Sequence, residues 1–347
     1  KDQEGKLPRS LNSNGELVTS SSDWWCSGFF PGVLWYLYEN NKGNEELFDY
    51  ANLYTKRIEK EQFNTSTHDL GFMLYCSYGN GFRLNPTPES EKVLINGAHA
   101  LSARYNPVVK CIRSWDKWRD YSYPVIIDNM MNLEMLMWAY KRTGDDTFKN
   151  IAISHANTTK LHHFREDYSS FHVVAYDLRS GKVLQRGTDQ GYGDDSSWAR
   201  GQAWALYGYT MMYRETGNKD YLNLAWHIAD FILNHPRLPK DKIPYWDFDS
   251  PDIPDDYRDS SSAAIIASAL LELSKYSEGN RRERYYTVAE QQLRMLASDK
   301  YMAEVGTNGF FILKHGVGNI PQNSELDAPL SYGDYYFIEA LLRYRNY

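Results

Sequence analysis

The sequence has little cysteine, no long apolar run and no basic segment. Its 347 residues include three cysteines, at positions 26, 76 and 111, too few and too far apart for a disulfide framework or a cysteine-based zinc site. We expect them to be small buried residues. No stretch reaches the roughly 18 apolar residues of a membrane-spanning helix. A formal net charge of −7 without a basic run argues against nucleic acid and anionic membranes as partners.

Familiar catalytic motifs are absent as well. The chain has no HExxH, CxxC or EF-hand pattern, and no GxSxG or Walker loop. We therefore expect neither a metal nor a cofactor. His162 and His163 are adjacent, cannot both point inward from one helix face, and are expected at the surface of an outer helix. The chemistry that remains is general acid–base catalysis by carboxyl groups, which is typical of enzymes that act on glycosidic substrates.

A helical hairpin recurs along the chain. A tyrosine-ended helix, a glycine-containing turn and a second helix with an aromatic residue and an alanine occur at residues 38–58, 140–158, 213–232 and 276–296. The glycine can end the first helix, and the Asn or Asp after it can begin the second. Each repeat predicts an αα-hairpin. Residues 108–118, 170–177 and 181–187 are expected to form small strands or loop arms.

Six helices are introduced by polar or glycine-rich stretches, which we call start segments. The start segments are WWCSGFFPG (24–32), THDLGF (67–72), IDNMMN (127–132), WARGQAW (198–204), RDSSSAA (258–264) and SYGDYYF (331–337). The helices after them are apolar on nearly all sides, which indicates burial, whereas the second helices of the hairpins are amphipathic. Six inner and five outer helices predict an all-α fold, an (α/α)6 barrel or six-hairpin toroid, with short strands and loops decorating the face that carries the start segments.

This pattern predicts one catalytic domain over residues 1–347, with the first outer helix expected upstream of Lys1. An open helical solenoid used for protein binding is the alternative. The inner helices are spaced more widely than the helices of such repeats, and their aromatic-rich loops always lie on the same side, which favours the closed ring.

Carboxylates are the candidate catalytic groups in the start segments. Asp69 and Asp128 each stand at the start of a buried helix, where an aspartate commonly acts as a cap. Apolar neighbours such as Ile127 are expected to raise the pKa of Asp128 towards that of a usable general acid. Asp259 and Asp334 also stand at helix starts, and capping is a sufficient explanation for both.

Arg200 stands out within the glycine-rich stretch from Gly187 to Trp204. A buried arginine at a helix start is costly without a partner, and its planar fork suits a carboxylate. Either it pairs with Asp194 or Asp195, or it binds an acidic ligand. Four tryptophans at or near start segments either pack in the core or offer a face to a sugar ring. These are Trp25, Trp115, Trp198 and Trp204.

The motifs THDLGF, IDNMMNL, QGYGDDSSWARGQAW and SYGDYYFIEALLR resemble those of the unsaturated glucuronyl hydrolases, glycoside hydrolase family 88. The resemblance runs from WWCSGFFPG to the C-terminus. It implies an (α/α)6 barrel that removes a 4,5-unsaturated uronic acid from the non-reducing end of lyase-generated, glycosaminoglycan-type oligosaccharides. The implied reaction adds water across the C4=C5 enol ether and gives a hemiketal, which rearranges, opens the ring and releases the aglycone.

The resemblance also implies roles for individual residues. Asp128 matches the general acid and base, and Asp69 matches a second essential carboxylate that assists through charge and hydrogen bonding. The positions that match substrate-binding residues are Trp25, His68, Trp115, His172, Gln190, Arg200 and Trp204. Two positions depart from the family pattern. Asp189 stands where histidine is common, and Ser196 stands where some members carry tryptophan, so the aglycone preference stays open.

Other readings remain at this point. An unsaturated rhamnogalacturonyl hydrolase is the runner-up enzyme, and a catalytically idle glycan-binding toroid is the non-enzymatic alternative. The expected partner is in each case an oligosaccharide, and the oligomeric state is left open. The polar start of the chain favours a bacterial periplasmic protein over a cytoplasmic one.

Overall fold

The computed structural model describes residues 5–347, which fall into two compact units. Unit 1 contains the residues up to Arg9, Thr19–His162 and Val174–Gln185, and unit 2 contains Ser10–Val18, His163–Val173 and Arg186–Tyr347. The prediction of one catalytic domain stays a prediction. Within residues 5–347, no helix combines the length and the hydropathy of a membrane-spanning segment.

Unit 1 is built from helices whose ends follow local rules. Its α-helices are α1 (Phe29–Asn40), α2 (Glu45–Lys56), α3 (Asn80–Leu84), α4 (Pro88–Ser102), α5 (Leu133–Thr143) and α6 (Asp146–His162). Asn44 caps α2 by accepting the backbone N–H of Leu47, and Thr87 shares reciprocal capping bonds with Ser90 at the start of α4. Gly144 ends α5 with a φ of 73°, a conformation that glycine adopts without strain.

Two start segments of unit 1 depart from regular α-helix. Gly71–Gly79, which begins within THDLGF, forms a π-helix that continues into α3, and Ile127–Asn132 forms a 3₁₀-helix that continues into α5. Ser77 Oγ donates to the Met73 carbonyl within the π-helix, one of the local adjustments that an irregular turn requires. Such irregular turns are frequent at functional sites.

The strands are short, as predicted. β1 (Leu7–Leu11) and β2 (Leu17–Ser20) form a hairpin that the sequence did not predict. β3 (Tyr105–Asn106) pairs antiparallel with β4 (Cys111–Ile112). The strands β5 (Pro124–Ile126), β6 (Val173–Tyr176) and β7 (Val183–Gly187) form a sheet in the order β5-β6-β7. The strands expected within residues 108–118, 170–177 and 181–187 are thus confirmed.

Unit 2 alternates buried and amphipathic helices. They are α7 (Ala199–Thr216), α8 (Lys219–Asn234), α9 (Ser260–Lys275), α10 (Gly279–Leu296) and α11 (Ser331–Arg345). The inner helices α7, α9 and α11 are buried along most of their length, and α9 packs against α7, α10 and α11. In the described part of both units, every start segment leads into a helix, and the outer positions are filled by α2, α4, α6, α8 and α10.

A charged network lies inside unit 2, away from the start segments. Glu272 accepts hydrogen bonds from Arg214 Nη1 at 2.9 Å and Arg343 Nη1 at 2.6 Å. Tyr207 Oη donates to Glu339 at 3.0 Å. Burial alone would raise the pKa of Glu272, but the two arginine charges reverse this effect and hold it below its ordinary value. The network therefore stabilises the ionised carboxylate within the core.

The buried polar and sulfur groups include one correction. The three cysteines are buried free thiols, as expected, and burial raises the pKa of Cys111 to about 12. His163 was expected at the surface and is instead fully buried, with its carbonyl oxygen accepting the N–H of Phe171. The expectation was wrong because α6 ends at His162, so the argument from helix faces does not extend to His163.

Candidate active site

The start segments that carry Asp69 and Asp128 touch each other within unit 1. The backbone N–H of Phe72 donates to Asn132 Oδ1 at 3.0 Å. A Cβ atom on Gly71 would lie 2.6 Å from the Cα of Asn132, so the contact requires glycine. The π-helix that follows Asp69 therefore packs directly on the 3₁₀-helix that contains Asp128, and the two carboxylates lie on neighbouring turns.

His68 connects these two start segments. Its ring is fully buried, and its Nε2 atom lies 3.2 Å from Asp69 Oδ1. Burial lowers the pKa of His68, and the nearby Arg104 charge acts in the same direction, while the Asp69 carboxylate and the Asn129 side chain oppose it. The ring is therefore neutral near pH 7. Asn129 is the residue after Asp128, so His68 lies beside both carboxylate segments.

Each aspartate is held in a largely buried setting. Thr67 Oγ1 donates to Asp69 Oδ2 at 3.0 Å, which leaves Oδ1 facing His68. Asp128 is only 7% exposed and stands beside the fully buried Ile127. Asn129 Nδ2 donates to the Ile112 carbonyl at 3.0 Å and so anchors the turn that follows Asp128. The arrangement suits proton transfer, because the two carboxyl groups lie in a largely water-excluded environment.

Two tryptophans of unit 1 remain partly exposed. Trp25 is half-buried and contacts the rings of Phe29 and Phe72 edge-on, with centroid distances of 5.8 and 5.6 Å. Trp115 is half-buried in the loop between β4 and β5. Both indoles keep part of their surface open, as a residue that stacks on a sugar must.

Arg200 forms the centre of a second cluster, in unit 2. Its guanidinium group is 2% exposed. The Nη1 atom donates to the Val317 carbonyl and lies 3.4 Å from Asp259 Oδ2. The Nη2 atom donates to Gln190 Oε1 at 2.8 Å and to the Gly318 carbonyl at 2.6 Å. One buried cation is thus bound to a carboxylate, an amide and two backbone carbonyls.

The ion-pair partner of Arg200 corrects the sequence interpretation. The sequence allowed a pair with Asp194 or Asp195, or an acidic ligand, and the ligand stays a prediction. Asp194 Oδ1 accepts the backbone N–H of Thr188 at 3.1 Å within its own loop. Asp259 was explained by capping alone. It does cap α9, but it also faces Arg200. A start segment 59 residues away in the sequence supplies the partner, which no local pattern indicates.

His172 belongs to the same cluster. Its Nδ1 atom lies 3.1 Å from the backbone nitrogen of Asp189 and 3.4 Å from that of Gln190. Both are N–H donors, so Nδ1 is the acceptor and the neutral ring carries its proton on Nε2. The ring also packs against Trp198 at a centroid distance of 4.5 Å. The structure therefore brings His172, Gln190 and Arg200 together, as a binding site would require.

Trp204 lies elsewhere in the packing of unit 2. Its side chain is 0% exposed and meets the ring of Tyr336 edge-on at a centroid distance of 5.4 Å. This position matches the core-packing interpretation that the sequence also allowed. A contact between Trp204 and substrate stays a prediction.

The two positions that depart from the family pattern have partners in unit 2. Gln322 Nε2 donates to Asp189 Oδ2 at 3.4 Å. Ser196 Oγ donates to Asp247 Oδ2 at 2.7 Å, and Asp247 Oδ2 also accepts the backbone N–H of Tyr192 at 2.9 Å. Sequence analysis missed Asp247, which anchors the Gly187–Trp204 loop. The only signal was its place in the aspartate-rich stretch that precedes α9.

Asp334 was also underestimated. Its carboxylate oxygens accept the backbone N–H groups of Ile312 and Leu313 at 2.9 and 2.8 Å, so it binds a distant segment in addition to its place at the start of α11. Burial raises the pKa of Asp334 to about 7, although the two N–H groups act in the opposite direction. No group of three or more His, Cys, Asp or Glu side chains within residues 5–347 is arranged to hold a metal ion.

No family model matches the sequence. An unsaturated glucuronyl hydrolase of Formosa agariphila is 49% identical over 344 residues, covering 98% of this chain and 85% of the relative. An unsaturated chondroitin disaccharide hydrolase of Streptococcus pneumoniae is 32% identical over 329 residues, covering 92% of this chain and 81% of the relative.

A solved structure of an unsaturated glucuronyl hydrolase specific for heparin is similar throughout. It shows a TM-score of 0.96 and 50% sequence identity, covering 99% of this chain and 91% of that one. Together with the paired inner and outer helices, this match confirms the predicted (α/α)6 fold class.

Proposed function

Because this chain belongs to the unsaturated glucuronyl hydrolases, glycoside hydrolase family 88, we propose that it removes a 4,5-unsaturated uronic acid from the non-reducing end of lyase-generated oligosaccharides. The observation that carries the chemistry is the direct contact between the start segments of Asp69 and Asp128, with the buried His68 beside Asp69. This contact supports carboxylate acid–base catalysis.

Asp128 is the proposed general acid and base. Its carboxyl group donates a proton to C4 of the unsaturated ring, and its carboxylate then accepts a proton from the water whose oxygen bonds to C5. The sum is the addition of one water molecule across the C4=C5 bond, and Asp128 is regenerated. The resulting hemiketal opens the ring and releases the aglycone. Burial of Asp128 among apolar residues supports this role, since a water-excluded site strengthens its interaction with the reacting atoms.

Asp69 is proposed to assist through charge and hydrogen bonding. The sugar ring of the substrate gains positive charge in the transition state, and a carboxylate next to it stabilises that charge. Thr67 Oγ1 donates a hydrogen bond to one of the Asp69 oxygens, and the His68 ring lies 3.2 Å from the other. The proposed substrate-binding residues are Trp25, His68, Trp115, His172, Gln190, Arg200 and Trp204. Among these, the bonded set of His172, Gln190 and Arg200 has the strongest structural support.

Unsaturated disaccharides from glycosaminoglycans are the proposed substrate class, with heparin-derived disaccharides first. The support is the similarity to the heparin-specific enzyme at 50% identity, against 32% for the chondroitin disaccharide hydrolase. A periplasmic location, favoured by the sequence, is part of the same proposal.

A substrate panel tests the activity. Unsaturated uronates absorb in the near ultraviolet, and hydration of the C4=C5 bond removes the chromophore. The purified protein is incubated with unsaturated disaccharides produced by heparin, chondroitin and pectin lyases. Loss of absorbance with the glycosaminoglycan products is expected. Loss with pectin products alone would favour the rhamnogalacturonyl alternative, and binding without any loss would favour a glycan-binding protein.

An Asp128→Asn variant tests the catalytic assignment. General acid–base groups typically contribute about 10²- to 10⁴-fold to the rate, so kcat should fall by at least this factor while the melting temperature stays close to that of the unmodified protein. Asp49→Asn, on the exposed face of α2, is the matched control and should retain full activity. Near-normal turnover by Asp128→Asn would remove Asp128 from the mechanism.

A further inference from the structure

Gln190 presents its amide in one orientation because of Arg200. A guanidinium group has five N–H donors and no acceptor, so the Gln190 atom that faces Arg200 Nη2 at 2.8 Å must be the oxygen. The NH₂ group of Gln190 is then on the other side of the amide group, turned away from Arg200. Gln190 is only half-buried, so part of this residue is open to solvent. An NH₂ group in this position donates to oxygen-rich ligands.

The orientation of Arg200 is set in turn by Asp259. The two edges of the guanidinium group are divided between different partners: Nη1 faces Asp259 and the Val317 carbonyl, and Nη2 faces Gln190 and the Gly318 carbonyl. Asp259 is 1% exposed, and it supplies negative charge to a buried cation that requires it. Its loss would remove this carboxylate from the Nη1 edge.

Asp259 divides its oxygens between two tasks. Oδ1 accepts the backbone N–H of Ser261 at 3.1 Å and its hydroxyl at 2.7 Å, which caps α9. Oδ1 also lies 3.3 Å from the backbone nitrogen of Val317, whose carbonyl binds Arg200. Oδ2 faces Arg200 and accepts the hydroxyl of Ser262. The cap on the backbone therefore needs one oxygen, and Arg200 shares the second oxygen with the Ser262 hydroxyl.

From these contacts we infer that Asp259 is a positioning residue for substrate binding, which acts through Arg200 to fix the donor face of Gln190. This inference rests on the proposed function, because the ligand that receives the Gln190 N–H groups is the oxygen-rich unsaturated uronate. Asp259 itself touches Arg200 and the backbone of Val317 rather than the reacting atoms. Its contribution is to binding, so it should change KM far more than kcat.

Two variants separate positioning from capping. Asn and Ser are both good helix caps, so Asp259→Asn and Asp259→Ser retain the bond to Ser261. Asn replaces Oδ2 with an NH₂ group that opposes Arg200 Nη1, and Ser is too short to reach it. We expect KM for the unsaturated disaccharide to rise about tenfold or more in both, since a charge-assisted bond is lost, with kcat changed less than about threefold. Asp255→Asn, at an exposed aspartate of the same loop, is the matched control.

A double-mutant cycle with Gln190→Ala shows whether Asp259 acts through Gln190. If it does, Asp259→Ser should cause little further rise in KM once Gln190 is alanine. Additive effects on KM, or normal KM in both cap-retaining variants, would overturn the inference while leaving the proposed function intact. If urea titrations show that neither Asp259 variant folds, the ion pair between Asp259 and Arg200 is needed for stability. The positioning role is then also overturned. Absence of turnover by the unmodified protein would instead reject the proposed function, and this inference with it.

Discussion

Asp334 offers a stability experiment whose outcome depends on pH. Its buried carboxyl group accepts the N–H groups of Ile312 and Leu313, one on each oxygen. In Asp334→Asn the side chain keeps its size, but it has one acceptor oxygen and cannot ionise. One backbone N–H then faces the new NH₂ group, which costs about 1–3 kcal/mol at any pH.

The pH-dependent part follows from the pKa of Asp334, which burial raises from the ordinary value of 3.8 to about 7. In the unfolded chain this carboxyl loses its proton near pH 3.8, whereas in the folded protein it keeps the proton until about pH 7. Rising pH therefore favours the unfolded state across this window, by about 1.4 kcal/mol per pH unit. Over the whole window from pH 3.8 to about 7, the free energy of unfolding should fall by about 4 kcal/mol. This stability is fully present below the window and is lost once the pH has risen through 7.

Urea unfolding of both proteins between pH 5 and pH 8 measures this effect. The free energy of unfolding of Asp334→Asn, relative to the unmodified protein, should increase by about 2–3 kcal/mol between pH 5 and pH 7 and then level off. By the same arithmetic the variant should be within about 1.5 kcal/mol of the unmodified protein at pH 5 and should exceed it by about 1–3 kcal/mol at pH 8. Asp252→Asn, at an exposed aspartate of unit 2, should show no such trend. Parallel pH profiles for Asp334→Asn and the unmodified protein would refute the reasoning.

Three further predictions concern packing, the ion network and the thiols. Gly71→Ala would place a Cβ atom 2.6 Å from the Cα of Asn132, so the two start segments must separate. The melting temperature should fall, by an amount equivalent to about 1–3 kcal/mol, and activity should fall with it; an active variant of unchanged stability would contradict the close contact. Glu272→Gln removes one carboxylate from two arginines that keep Glu215 and Glu339 as partners. Chemical denaturation should show a loss of about 1–3 kcal/mol, and an unchanged free energy of unfolding would contradict this prediction. The buried thiols, Cys111 with a pKa of about 12 among them, should not react with a thiol reagent until the protein is unfolded, and rapid labelling of the folded protein would contradict their burial.

Much of the architecture could be predicted because it depends on short-range sequence patterns. Helix periodicity, the glycines that end first helices and the polar start segments are all read within about ten residues of the chain. These patterns placed Asp69, Asp128 and Arg200 at helix starts, and the helices observed there agree. The β1–β2 hairpin and the π-helix after Asp69 were missed. No amino-acid pattern in Gly71–Gly79 distinguishes this π-helix from an α-helix. Its first turn is bound by Asn132, which is distant in the sequence.

What the sequence by itself determined is therefore which residues stand at the start of which helices, and the family to which those start segments belong. The tertiary structure decided the partners. It paired Arg200 with Asp259 and Val317, which are 59 and 117 residues away, and it buried Trp204 against Tyr336. The physical reason is that a buried charge or ring is satisfied by whichever group the packing brings within a few ångströms, and that group is set by the assembly of helices rather than by the neighbouring residues in the chain.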